Sequence, residues 1–238
     1  MKNILTIFKK ELASYFNSPI AYIFTAVFLV IANWLFFQNF YIIGQANMRS
    51  YFILLPWMFL FLAPAITMRV WAEEKKAGTM ELLLTLPVKD WEVVAAKFLS
   101  ALGFLSFTLI LSLTIPFTIS RLGNLDWGPV IGGYIGAILM GGAYLSLGLF
   151  ISSLTKNQII AFLIGVVCCF AVFIIGADFV LQKMNGSITP LLQFLGIGSH
   201  FNTIGKGIID SRDLIYYGSF IFIFLFLNVK SIESRNWR

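Results

Sequence analysis

Long apolar stretches alternate with short polar ones along the whole chain. Uncharged runs extend from Leu12 to Met48, Ser50 to Met68, Phe98 to Ser120, Trp127 to Thr155, Asn157 to Ala177 and Leu214 to Val229. A helix that crosses a bilayer needs roughly 20 apolar residues. The pattern therefore predicts six transmembrane helices, near residues 20–42, 51–70, 95–119, 130–154, 158–180 and 214–230. The last run is the shortest, with Tyr216 and Tyr217 at one end and Asn228 to Lys230 at the other placed for the two interfaces. Ahead of the first span, Ile4, Leu5, Phe8, Leu12 and Phe16 recur at helical spacing, with Lys2, Lys9, Lys10 and Glu11 mostly off that face. This predicts an amphipathic helix over residues 1–18 lying on the membrane surface. Asn17-Ser18-Pro19 then turns the chain, because the residue before a proline avoids the helical region. The fold class is all-α integral membrane protein, with residues 1–238 forming one transmembrane domain.

Composition narrows the class. The chain is 59% hydrophobic and only 12% charged, too apolar to cover a soluble surface. The first apolar run far exceeds the roughly 7 to 15 residues of a signal-peptide core, so it is expected to remain as a span. Six spans put both termini on one side, and the cation bias says which. With the termini in the cytoplasm, inner segments hold Lys2, Lys9, Lys10, Arg69, Lys75, Lys76, Lys89, Lys97, Lys156, Lys230, Arg235 and Arg238, against Arg49, Arg121, Lys183, Lys206 and Arg212 outside. The formal charge of +6 is thus topology. No basic stripe is interleaved with aromatics, which argues against a nucleic-acid partner. Cys168 and Cys169 are adjacent in mid-span and read as small apolar filler.

The chemistry-bearing residues are few. A phosphate-binding loop needs Gly-x-x-x-x-Gly-Lys-Ser/Thr. The nearest approach, "TIGKG" at 203–207, has His200 where the first glycine belongs and Gly207 where the hydroxyl belongs. The chain is therefore not expected to hydrolyse ATP, nor to hold a cofactor or metal. His200 is the one histidine, in the outer loop 182–213, whose apolar character predicts short surface or re-entrant helices. Pro56 and Pro64 interrupt the backbone hydrogen bonds of the second span and can shape either a pathway or packing. Asp178 is the one carboxylate near a span; it sits at the outer end of the fifth, a place for hydration, a pathway role or a subunit contact. In the fourth span Gly132 and Gly136, Ala137 and Gly141, and Gly142 and Ser146 repeat small residues at four-residue spacing, as close helix packing requires.

Charge gathers in one place. From Arg69 to Lys97 there are five cations (Arg69, Lys75, Lys76, Lys89, Lys97) and five anions (Glu73, Glu74, Glu81, Asp90, Glu92). Within the loop 71–92, Gly78 can end the second span's helix. Thr79 can cap a new one with Glu81 in its first turn. Leu82, Leu83, Leu84 and Leu86 follow until Pro87, and Asp90 can cap the third span. The predicted object is a short helix, Thr79 to Leu86, of about eight residues and roughly 12 Å. Its apolar body and polar ends suit a groove on a soluble partner.

"TMRVWAEEKKAGTMELLLTLPVKDWEVVAAKF" resembles the loop after the second span in type 2 permeases of ATP-binding cassette (ABC) transporters. Their Glu, Gly-Thr-x-Glu-x-Leu, Pro and Lys correspond to Glu74, Gly78, Thr79, Glu81, Leu83, Pro87 and Lys97. "FKKELASYFNSPIAYIF", "LGLFISSLTKNQIIA" and "HFNTIGKGIIDSRDLIYY" extend the likeness over most of the chain, and the last third is most similar to permeases of bacterial gliding-motility ABC transporters. The resemblance implies an exporter-type permease of the bacterial inner membrane, with a cytoplasmic coupling helix. Glu73, Glu74, Gly78, Thr79, Glu81, Leu82, Leu83 and Pro87 would then meet a separate ATPase subunit that binds the ATP. It also implies a second permease, identical or a homologue with a large outer domain, and the lipid bilayer as partners. The alternatives are a non-transporting anchor of a motility complex, whose spans would look the same, and an ion-gradient transporter or channel, which predicts charge near the bilayer midplane whereas the one candidate, Asp178, lies near an edge.

Overall fold

The computed structural model describes residues 2–80, 87–181, 189–208 and 210–234, without the side chains of Lys2, Asp178 and Phe179. Every regular element among them is a helix. The helices are α1 (Lys2–Phe16), α2 (Pro19–Ile43), α3 (Arg49–Ala77), α4 (Asp90–Leu111), α5 (Thr114–Leu122), α6 (Trp127–Leu154), α7 (Gln158–Ile175), α8 (Asp178–Leu181), α9 (Thr189–Leu195), α10 (Ile197–Ile204) and α11 (Ser211–Glu233). Six stretches are long and apolar enough to cross a membrane: α2, α3, α4 with α5, α6, α7 and α11.

The helix starts follow local chemistry. Pro19 opens α2 at a position where a missing N–H is harmless. The side-chain oxygens of Asp126, Asn157 and Asp210 accept from Gly128, Ile159 and Arg212 N–H and begin α6, α7 and α11. The third span is broken at Ser112–Leu113. Pro116 has no N–H for the Ser112 carbonyl, which takes the Ile115 N–H at 3.0 Å instead. The fifth span stops at Ile175, short of the expected 180. Gly176 and Gly196 cross there so closely that a Cβ on Gly176 would lie 2.5 Å from Gly196 Cα.

α6 is the central helix, packed against α3, α4, α7, α10 and α11. Its small residues admit neighbours to backbone distance: a Cβ on Gly148 would lie 2.2 Å from Thr67 Oγ1, and one on Gly141 would lie 2.2 Å from Leu105 Cδ2. α3 runs unbroken through both prolines. Pro56 and Pro64 are buried, and Pro64 lies against Gly165 of α7, so packing accounts for at least the second.

Part of the apolar face of α1 is taken up by α4. Tyr15 stacks on Phe104 with centroids 5.2 Å apart, Phe16 meets Phe107 at 5.0 Å, and Phe8 and Leu12 lie over Gly103. Leu5 stays exposed.

At the opposite end of the bundle α9 and α10 fold back onto α11. His200 Nδ1 lies 2.6 Å from Asp213 Oδ1, its Nε2 lies 2.9 Å from the Phe194 carbonyl, and its ring stacks on Tyr216 at 4.0 Å. Tyr216 and Tyr217 hydroxyls donate to the Leu195 and Ile197 carbonyls at 2.6 and 2.8 Å. With both ring nitrogens engaged, His200 clasps α9 and α10 to α11.

Candidate functional site

The charge-rich segment joins α3 to α4, and the structure shows how each helix reaches it. α3 extends about 43 Å at 1.5 Å per residue, carrying Glu73, Glu74, Lys75 and Lys76 past its apolar part. Gly78 ends it in the left-handed conformation at φ 71°, and its N–H donates to the Glu74 carbonyl. Thr79 and Met80 are already helical, and the Thr79 hydroxyl donates back to the Glu74 carbonyl at 3.4 Å. Thr79 thus ties the new turn to the old helix through its side chain. Glu81, Leu82, Leu83, Leu84 and Leu86 lie outside the described residues. Pro87 is exposed on the returning strand of chain. Lys89, not Asp90, is the residue before the first helical turn of α4. The Glu92 carboxylate accepts its N–H at 3.3 Å, and Asp90 stands in the first turn, where the helix dipole favours an anion.

Beneath the loop lies a buried ionic triad. Lys97, fully buried, donates to Glu74 Oε1 at 2.7 Å, to Glu11 Oε1 at 3.1 Å and to the Val70 carbonyl at 3.4 Å. Its ammonium also sits 4.8 Å from the centre of the Trp71 ring. One cation therefore holds carboxylates from α1 and α3 against α4. Removing it would leave the partly buried Glu11 and Glu74 carboxylates beside each other without their cation, the costly way to break such a pair.

Further bonds brace the same end of α3. Ser152 Oγ of α6 accepts from the N–H groups of Trp71 and Ala72 at 3.2 and 3.3 Å and donates to the Met68 carbonyl at 3.1 Å. Lys75 Nζ donates to the Ser153 carbonyl. On the α1 side, the Tyr15 hydroxyl donates to the Ile66 carbonyl at 3.1 Å, and Arg69 bonds both Ser18 Oγ and Glu73. Burial first, then the Glu11 carboxylate, push the Tyr15 phenol above its ordinary value. Between α1 and α3 a polar pocket of about 250 Å³ opens, lined by Lys10, Glu11, Arg69, Glu73, Glu74 and Thr79 among others.

Of the residues singled out from sequence, Glu73, Glu74 and Thr79 converge on this pocket, while Gly78 and Pro87 bound the loop beside it. Pro56 and Pro64 lie within the bundle, and Asp178 begins α8 after the fifth span. Glu11, Tyr15, Ser152 and Ser153 complete the site without having been singled out. The available signal was Lys97 itself, a lysine between Ala96 and Phe98 in a span, which requires a buried partner. Nothing local names Glu11, 86 residues away in the chain.

The arrangement offers no nucleophile paired with a base, and among the described residues no group of three or more His, Cys, Asp or Glu could hold a metal ion. What it provides is a bonded junction between helices α1, α3, α4 and α6. Residues 38–229 match the family model described as ABC-2 family transporter protein. No curated protein matches the chain.

Proposed function

The chain belongs to the ABC-2 transporter family, a membrane-spanning permease component of ABC transporters, and from this premise we propose that the loop between α3 and α4 is where a separate ATPase subunit docks. The observation that carries the proposal is the Lys97 triad. A force applied to the loop at Gly78 or Pro87 reaches α1, α3 and α4 together, because Glu11, Glu74 and Lys97 join them at its base. Ser152 passes the displacement on to α6. ATP binding on the partner can shift the permease only through contacts that differ between two conformations, and this loop offers the charged and apolar surface for them. In this reading Glu73, Glu74, Gly78, Thr79, Glu81, Leu82, Leu83 and Pro87 are the residues that would meet the ATPase.

In this reading both termini and the loop are cytoplasmic and the membrane is the bacterial inner membrane, as the cation bias argues. Gliding motility is the cellular role, supported by the likeness of the last third of the chain to permeases of that subgroup. A second permease, identical or a homologue with a large outer domain, completes the assembly.

Purification in mild detergent tests the docking. The wild-type chain is expected to bring down a P-loop ATPase whose turnover depends on the permease. Glu81→Lys, and separately Gly78 and Thr79 both replaced by bulky residues, should abolish the association or uncouple the turnover while membrane insertion stays normal. Unchanged association and unchanged turnover in both variants would refute the proposal.

A further inference from the structure

Two cavities adjoin at the end of the bundle away from the α3–α4 loop, one of about 230 Å³ and one of about 350 Å³. Both are lined by Arg49, Phe52, Gly205 and Lys206. Asn202 and Phe201 complete the first, and Asn47 and Asp126 add polar groups to the second.

The backbone holds both cations in place. Arg49 is the first residue of α3, and its N–H donates to Asn47 Oδ1 at 3.2 Å. Lys206 stands in the tight turn after α10, where Gly205, Lys206 and Gly207 N–H groups donate to the Phe201, Thr203 and Ile204 carbonyls at 2.8, 3.2 and 2.8 Å. Gly207 adopts φ 84°, which favours glycine. The turn rests on the glycine face of α6: a Cβ on Gly132 would lie 3.0 Å from Gly207 Cα, and one on Gly136 would lie 2.7 Å from Ile204 Cγ2. The Gly-Lys-Gly of "TIGKG", which fails as a nucleotide loop, therefore seats one lysine firmly beside the arginine that starts α3.

Charge is scarce at this end. The topology assigns it five cations, Arg49, Arg121, Lys183, Lys206 and Arg212, and two of them share this hollow. Among the described residues neither Arg49 nor Lys206 takes part in an ion pair. The carboxylate present, Asp126, is engaged in starting α6, its Oδ1 accepting the Gly128 N–H at 3.0 Å. Beneath the cations the floor is apolar, with Phe52 and Phe201 buried. A guanidinium fork and a point-charge ammonium over an aromatic floor match a phosphate-bearing anion with an apolar part.

We propose that this double cavity is a binding site for a phosphate-bearing anion, filled in the bilayer by the headgroup of an anionic phospholipid. Basic pockets between transmembrane helices on the cytoplasmic side of membranes hold such headgroups, and the same pairing of cations with a phosphate applies at this opposite end. The site shares no residue with the proposed ATPase-docking loop, so either can fail without the other.

Thermal unfolding of the purified full-length chain in mild detergent, titrated with short-chain phosphatidylglycerol, short-chain phosphatidylcholine or inorganic phosphate, provides the test. Phosphatidylglycerol is expected to raise the Tm saturably, and phosphatidylcholine is not. Arg49→Gln with Lys206→Gln should weaken the apparent affinity at least about tenfold, the loss of a charge-assisted contact, while the unliganded Tm stays near wild type because both side chains are exposed and outside any ion pair. Arg121→Gln with Arg212→Gln removes the same charge from the same end and should leave the response intact. Inorganic phosphate matching phosphatidylglycerol, with the same dependence on Arg49 and Lys206, keeps the anion site and assigns it to free phosphate. An equal response in both double variants, a phosphatidylcholine response equal to that of phosphatidylglycerol, or no response to any of the three overturns the proposal.

Discussion

Both ends of the helical bundle bury charge, and they do so for different work. Near the α3–α4 loop, Lys97 binds two carboxylates 86 and 23 residues away and so fastens three helices that the chain visits at separate times. At the opposite end, His200 and Asp213 are 13 residues apart and hold one excursion of the chain against the helix that follows it. The first is a junction between elements distant in the chain. The second is a clasp within one local unit. The difference teaches where a mechanical signal can travel: a bond that spans helices couples them, whereas a bond that closes a loop only stiffens it.

The contrast can be broken most severely at Lys97. Lys97→Met strands Glu11 and Glu74 without their cation and is expected to destabilise the chain by about 3 to 5 kcal/mol, as removal of one member of a buried pair does. Thermal unfolding in detergent measures this. Neutralising the stranded groups with Glu11→Gln and Glu74→Gln should recover most of the loss, and the triple variant would then be folded yet poorly coupled to ATP turnover. If the triple variant couples normally, the triad is structural support alone.

A smaller effect is expected at the clasp. His200→Phe keeps the ring stacked on Tyr216 but deprives Asp213 and the Phe194 carbonyl of their partner, at about 1 to 3 kcal/mol for buried groups left unsatisfied. Dependence of ATPase turnover on the permease should be unchanged. A His200→Phe variant that is fully stable but uncoupled would reverse the roles assigned to the two ends.

The smallest change is expected at Gly78. Gly78→Ala places a Cβ in a left-handed backbone, costing about 1 kcal/mol, and nothing within 4 Å crowds the site. The penalty is thus conformational, and it falls on the hinge of the loop. Coupling should fall more than stability, measured as ATPase stimulation against Tm on one preparation.

Much of this architecture is legible in the sequence because the bilayer imposes so plain a rule. An uncharged run of this length becomes a helix, since a backbone in lipid has no water to bond; the run ending at Thr155 marks the end of α6, whereas α3 continues past Met68 to Ala77. Gly78 is readable for a similar reason, as few residues tolerate φ 71°. The start of α4 is less so: the sequence points to Asp90 as its cap, but the Glu92 side chain reaches back to the Lys89 N–H and moves the boundary by one residue. Least legible are the long-range partners. Glu11 lies on the polar side of an amphipathic helix and looks like any solvated carboxylate until α4 brings Lys97 beside it. Arg49 and Lys206 are likewise ordinary loop-end cations until the glycines of α6 draw the Lys206 turn against the start of α3.

The Lys97 triad also has a birth order. Glu11 leaves the ribosome first, Glu74 follows a hairpin of spans later, and Lys97 comes last, at the entrance to the third span. Until Lys97 is made, Glu11 and Glu74 lack the cation that they share in the finished chain. The junction can therefore close only after α1, α3 and the start of α4 have all been made.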